Sequence, residues 1–86
     1  MKNEDGTWDF KAALDAYSDG DYESALTQFQ RGASIGDDDA QTALGTMYRK
    51  GQGTPINPSE AIRWYMAAAE QGNPIAQSSM GFCYAN

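Results

Sequence analysis

The sequence predicts an all-α fold, an α/α superhelical solenoid of about two and a half helix–turn–helix repeats. Three observations predict it: a segment that recurs after 36 residues, apolar residues at helical spacing, and helix-capping residues and glycines at regular intervals. The chain has 86 residues, so it is long enough for one small domain only.

The repeat is visible in two short segments. Residues 40–48 read Ala-Gln-Thr-Ala-Leu-Gly-Thr-Met-Tyr, and residues 76–84 read Ala-Gln-Ser-Ser-Met-Gly-Phe-Cys-Tyr. The segment 25–36 pairs with 61–72 at the same offset, through Ala, Ala and Gly identities and matching apolar positions. Agreement at one offset over so many positions is improbable by chance, so we infer an internal repeat.

Each unit has the pattern of two amphipathic helices. Phe10, Ala13, Leu14 and Tyr17 lie at positions i, i+3, i+4 and i+7 and form one apolar stripe. We predict helices near residues 8–19, 22–35, 39–50, 58–71 and 74–85. The predicted N-caps are Thr7, Asp21, Asn57 and Asn73, and the glycines expected just after helix ends are Gly20, Gly36, Gly51 and Gly72.

Two runs of residues resemble a known family. The run from Ala43 to Gly53, followed by the run from Ala61 to Gly72, has Leu-Gly, Tyr, Gly-x-Gly, Ala, Trp-Tyr, Ala-Ala and a final Gly. This pattern resembles the Sel-one-like repeat (SLR), a relative of the tetratricopeptide repeat (TPR). Thr54 and Asn57 stand where the family often has Val and Asp, although Asn57 can still cap a helix. The resemblance implies an α/α superhelix that acts as a protein-interaction scaffold.

We divide the single domain, residues 1–86, into three parts. Residues 7–36 form a first, TPR-like repeat, since it lacks the five extra loop residues found between Gly51 and Ala61. Residues 37–72 form an SLR, and residues 73–86 form the first helix of a third repeat. The chain then stops, so we expect either a fragment of a longer protein or a lone helix that caps the stack.

Composition limits the partners and the chemistry. The net charge is −6, and residues 1–39 hold ten acidic against three basic residues, which disfavours nucleic acid and favours either a basic protein partner or simply a solvated acidic surface. We expect no membrane contact, no cofactor and no bound metal. The chain has no histidine, so a core role for Cys83 is favoured over a nucleophilic one. We interpret Asp19, Asp21 and Glu23 as a turn and helix cap rather than as a calcium site.

The resemblance implies that the first helix of each repeat lines the concave, partner-binding surface. Phe82 and Trp8 are the candidate aromatic anchors, and Arg49 and Lys50 are candidates to pair with a ligand carboxylate. Alternatively, Trp8 caps the stack and Arg49 is a solvated cation at a helix end. The predicted partner-binding residues are Trp8, Lys11, Asp15, Ser18, Asp39, Thr42, Thr46, Arg49, Lys50, Ser78 and Phe82.

The sequence therefore predicts a non-catalytic scaffold or adaptor module that binds a partner peptide or helix. The alternative is a small acidic inhibitor or immunity-type protein that blocks a basic partner. Homo-oligomerisation through the open C-terminal helix, with Met80 and Phe82, is also expected, because fewer than three full repeats leave apolar surface uncovered. We expect the cytoplasm as the compartment, or a secreted or periplasmic location if an upstream signal was removed.

Overall fold

The computed structural model describes residues 9–85, with side chains described as far as Phe82. In this part of the chain there are five α-helices and no strand, so the all-α prediction is confirmed. The helices are α1 (Phe10–Ser18), α2 (Tyr22–Ser34), α3 (Asp38–Lys50), α4 (Pro58–Glu70) and α5 (Pro74–Ala85). None of these helices is both long enough and apolar enough to cross a bilayer.

Side-chain caps fix where the helices begin. The carboxylate of Asp21 and the amide oxygen of Asn57 accept hydrogen bonds from the backbone N–H groups three residues later, as predicted. Asn73 accepts from the Ala76 N–H at 3.0 Å in the same way. The cap of α1 is Asp9, whereas the predicted cap, Thr7, lies outside the described residues. Each cap satisfies an N–H group that the helix itself leaves without a partner.

The helices stack in chain order, each packing mainly against its neighbours in the sequence. A larger apolar cluster joins α1, α2 and α3, and a smaller one joins α4 and α5. Trp64 of α4 is half-buried against the larger cluster, and Tyr48 packs against both. The larger cluster consists of Ala13, Ala25, Phe29, Ala33, Ala40, Leu44 and Met47, and the smaller one of Ala61, Tyr65, Ala68 and Ala76.

Residues 36 apart make the same contacts. The side-chain amide of Gln41 donates to the carbonyl of Ala33 at 3.2 Å, and that of Gln77 donates to the carbonyl of Ala69 at 3.4 Å. The backbone bonds that close the two turns also recur, from residue 37 to residue 32 at 3.0 Å and from residue 73 to residue 68 at 3.2 Å. The predicted offset therefore relates equivalent sites in three dimensions.

Small residues allow close packing inside the second repeat. A methyl group at Gly45 would lie 2.8 Å from a ring carbon of Tyr65 and 3.1 Å from the carbonyl oxygen of Ala61. The equivalent glycine of α5, Gly81, has open space around it. Gly45 is therefore a packing requirement between α3 and α4, and Gly81 has no such partner among the described residues.

The loop between α3 and α4 holds the first two repeats together. Gly53 has a φ of +76°, and a methyl group there would lie 2.6 Å from the carbonyl oxygen of Tyr22, at the start of α2. The hydroxyl of Tyr17 also donates to the side-chain carbonyl of Gln52 at 2.9 Å. The extra loop residues of the second repeat thus pack on the end of α1 and the start of α2.

Candidate partner-binding groove

The first helices of the three units, α1, α3 and α5, share one side of the stack. Leu14 of α1 and Ala43 of α3 line the same cavity. Further along, the guanidinium carbon of Arg49, in α3, lies 5.2 Å from the centre of the Phe82 ring in α5. These contacts join the three helices into one continuous surface, which we call the first-helix face.

The cavity on this face lies between α1 and α3. Its volume is about 140 Å³, and its wall is formed by Leu14, Tyr17, Phe29, Ala43 and Thr46. The Phe29 ring is buried, and the side chain of Leu14 is 44% exposed. Because these side chains offer almost only carbon atoms, the cavity suits an apolar group.

A polar cluster occupies the corresponding place between α3 and α5. The hydroxyl of buried Tyr65 lies 2.8 Å from the Thr46 hydroxyl, and Nε of Arg49 donates to it at 3.3 Å. Phe82 covers the guanidinium of Arg49 and is itself 57% exposed. Arg49 is thus held in place by a hydrogen bond and a cation–π contact rather than being a solvated helix-end cation.

The other predicted site residues fall into three groups. Ser18, Asp39, Lys50 and Ser78 are exposed, and Lys11 and Asp15 form an exposed ion pair with 3.4 Å between the Lys11 Nζ and an Asp15 carboxylate oxygen. Trp8 lies outside the described residues. Thr42 was expected to be open to a partner, and this expectation is wrong. Its side chain is buried at 8% exposure, with its hydroxyl donating to the carbonyl of Asp38 at 2.9 Å.

Thr42 is buried because α3 packs against α2 on one side and α4 on the other, so little of its surface is free. The hydroxyl is satisfied by its own helix, which makes the burial inexpensive. Met80 also differs from expectation, since it is half-buried against the smaller cluster rather than uncovered. Phe82 remains exposed, as predicted.

Comparison with known proteins identifies the family. A family model described as Sel1 repeat matches residues 38–73. The chain carries a Sel1 repeat. Sel1 repeats are all-α units of the solenoid type, and they typically serve as protein–protein interaction modules without catalytic activity.

Several curated proteins are similar to this chain. An F-box protein of Arabidopsis thaliana is 35% identical over 84% of the chain, and an exopolysaccharide production negative regulator of Rhizobium leguminosarum bv. viciae is 31% identical over 95%. A putative sel1-like repeat-containing protein of Acanthamoeba polyphaga mimivirus is 43% identical over 55%. The chain spans only 20%, 31% and 9% of these three relatives respectively. No solved structure matches it significantly.

The first turn of the Sel1 repeat carries three neighbouring carboxylates. One oxygen from each of Asp37, Asp38 and Asp39 lies within 4.8 Å of the others. Asp37 caps α3, while the side-chain amide of Asn73 donates to Asp38 at 2.8 Å and to Asp39 at 3.3 Å. These carboxylates therefore connect the start of α3 to the start of α5, and the favourable position of acidic groups at a helix N-terminus accounts for them.

Two other sequence interpretations concern residues outside the groove. Asp21 caps α2 and Asp19 ends α1, as the turn interpretation of this acidic segment requires. The side chain of Cys83, predicted to be in the core, lies outside the described side chains.

The cavity is not apparent from the sequence alone. Leu14 and Tyr17 belong to the apolar stripe of the first predicted helix, which indicates packing against other helices. The sequence signal that could have indicated the cavity is the smaller size of Ser18 and Thr46 compared with Arg49 and Phe82 at the equivalent positions of the next repeat. The hydroxyl of Tyr65 was also missed as the group that holds Arg49, although Phe29 at the equivalent position lacks it.

Proposed function

We propose that the chain is a non-catalytic scaffold or adaptor module that binds a peptide or helix of a partner protein on the first-helix face. The observation that carries the proposal is the combination, on one face, of an apolar cavity and a fixed arginine–aromatic pair. Protein interfaces rely on such pockets and anchored Arg and aromatic side chains for most of their affinity. The typical role of Sel1 repeats supports the same function.

The test begins with peptides selected from a random display library on the immobilised protein. Binding of a selected peptide is then compared between the wild type, Lys50→Glu and Arg63→Glu. Lys50 lies exposed at the end of α3 beside the groove, whereas Arg63 lies on α4, paired with Glu60 at 3.1 Å. Both variants change the net charge by the same amount, and because Arg63→Glu also breaks the pair with Glu60 and the contact with the Trp64 ring, the melting temperature of each variant is measured before its binding.

We expect Lys50→Glu to change the affinity of the selected peptide several-fold, tighter for a basic peptide and weaker for an acidic one, and Arg63→Glu to leave it nearly unchanged. A larger effect from Arg63→Glu would place binding on the second helices and would refute the proposal. Failure to select any peptide above background would count against the peptide-binding function altogether.

The second candidate is a small acidic inhibitor that blocks a basic protein. The observation that favours it is the net charge of −6, with exposed Asp15, Asp19, Asp21 and Glu23 on or near the first repeat. Binding steered by charge weakens steeply as ionic strength rises. Affinity for a selected partner that changes little between low and high salt would exclude the inhibitor function and leave the scaffold function intact.

A further inference from the structure

The two steps of the first-helix face are filled differently. Between α3 and α5, Arg49 donates to the hydroxyl of Tyr65, and the Phe82 ring lies against the guanidinium of Arg49. The contact between α1 and α3 is equivalent to the contact between α3 and α5. Residues of α1 align with residues of α3 that lie 31 positions later, as Tyr17 does with Tyr48, and residues of α3 align with those of α5 that lie 36 positions later. Ser18 is therefore equivalent to Arg49, and Thr46 is equivalent to Phe82.

Ser18 and Thr46 are smaller than Arg49 and Phe82, so a gap is left between α1 and α3 at the place that the larger side chains occupy between α3 and α5. The cavity of about 140 Å³ lies at this step, and Thr46 is part of its wall. Its wall includes Phe29, the equivalent of Tyr65, which has no hydroxyl that needs a hydrogen bond. The cavity is therefore apolar and opens beside the partly exposed Leu14. The volume and the apolar wall suit one hydrophobic side chain, which can enter from the side that is open to solvent.

The part of the chain that forms α1, α2 and the start of α3 is acidic, with ten acidic against three basic residues in 1–39, and Lys50 is the exposed basic residue one turn after Thr46. Asp15 follows Leu14 directly and is exposed, and exposed Asp39 lies one helical turn before Ala43. Lys11 pairs with Asp15, but both side chains are exposed, and such pairs are readily exchanged for others. With a net charge of −6, the protein attracts cationic segments to this region.

We propose that this cavity binds one leucine, methionine or phenylalanine side chain of a partner peptide, with lysine or arginine residues on either side of it. The inference rests on the proposed function and deepens it, because it names the anchor and its flanking charges. The anchoring side chain of the peptide would occupy, between α1 and α3, the place that Phe82 occupies between α3 and α5.

The cavity is tested first without a peptide. Benzene is added to the isotopically labelled protein, and the methyl signals of Leu14, Ala43 and Thr46 are followed by NMR. We expect these signals to shift in the wild type and in Ala12→Leu, which adds the same bulk at an exposed position of α1. In Ala43→Leu the added side chain fills the cavity, and the shifts should disappear. Benzene shifts elsewhere only, or unchanged shifts in Ala43→Leu, would overturn the assignment of the cavity.

The occupant is tested with three synthetic peptides at low salt. One has a leucine between pairs of lysines, the second has alanine in place of the leucine, and the third has glutamates in place of the lysines. We expect the first to bind about tenfold more tightly than the other two, the loss typical of a buried anchor, and to lose this advantage on Ala43→Leu. Equal binding of all three, or tighter binding of the glutamate peptide, would overturn the proposed occupant.

The two proposals fail in different ways. Display-selected peptides that bind the first-helix face equally well in the wild type and in Ala43→Leu would refute the cavity as the anchor site and leave the proposed function standing. Benzene entering the cavity while no peptide binds anywhere would refute the proposed function instead, together with a peptide as the occupant.

Discussion

Replacement of Gly45 by alanine tests how closely α3 and α4 are packed. The new methyl group would lie 2.8 and 2.9 Å from two ring carbons of Tyr65, and 3.1 Å from a backbone oxygen. The ring is fully buried, and its hydroxyl is bonded to Thr46 and Arg49, so it cannot rotate away without losing those bonds. Overpacking of this kind costs about 1–3 kcal/mol of unfolding free energy.

The substitution also has a favourable term. Alanine is better than glycine in a helix interior by about 1 kcal/mol. Two contacts under 3.0 Å place the overpacking cost in the upper half of its range, at about 2–3 kcal/mol, so the net loss at Gly45 should be about 1–2 kcal/mol. For a domain of this size, each kcal/mol lowers the melting temperature by about 4–8 °C. Urea and thermal unfolding followed by circular dichroism at 222 nm measure both quantities.

Gly81 supplies the matched control, because it occupies the equivalent position of α5 and a methyl group there would meet no described residue within 4 Å. Here only the helix term acts, and Gly81→Ala should stabilise the protein by about 0.5–1 kcal/mol. The two identical substitutions should therefore have opposite signs. A Gly45→Ala protein as stable as the wild type, or stabilised like Gly81→Ala, would refute the close packing of Tyr65 on α3.

Three further predictions concern other contacts. Gln41→Ala removes a buried amide that donates to the Ala33 carbonyl and accepts from Gln71, and it should cost about 1–3 kcal/mol, while the Ala33 carbonyl keeps its bond from the Gly36 N–H. Exposed Gln77→Ala, which breaks the equivalent bond to Ala69, should cost less than about 0.5 kcal/mol, and equal losses in urea unfolding would contradict the difference in burial. Tyr65→Phe removes the hydroxyl that joins α4 to α3 and should cost about 0.5–1.5 kcal/mol, and an unchanged urea midpoint would show that this bond does not stabilise the fold. We also expect self-association through α5, visible as a mass that rises with concentration in light scattering; Phe82→Ser should suppress it, and Met66→Ser on α4 should not. A monomeric mass at high concentration would exclude it.

Local signals in the sequence located the helices well. Caps such as Asp21 and Asn57 and the apolar spacing act within one or two helical turns, so they are readable without knowledge of the tertiary structure. The start of α1 was less certain, because Thr7 and Asp9 are both suitable caps and the apolar stripe does not distinguish them. The offset of 36 also carried over, since buried Ala40 and Ala76 occupy equivalent places.

The details of the groove were harder to predict, because they depend on side chains from several helices. Thr42 was expected on the partner-binding surface of the first helices, but its burial depends on how α2 and α4 flank α3. The cavity depends on the relative sizes of residues from α1, α2 and α3, which are distant in the sequence. Arg49 was predicted from the sequence as a residue of this face, but its hydrogen bond to Tyr65 and its position under Phe82 involve residues of two other helices.

Intermolecular NOEs between the labelled protein and a display-selected peptide test the binding surface most directly. If the first helices of the repeats form the recognition surface, the contacts should run across α1, α3 and α5, with the strongest ones to the methyl groups of Leu14 and Ala43. Contacts confined to α2 and α4 would show that the partner binds the opposite face, and the proposed binding surface on the first helices would be wrong.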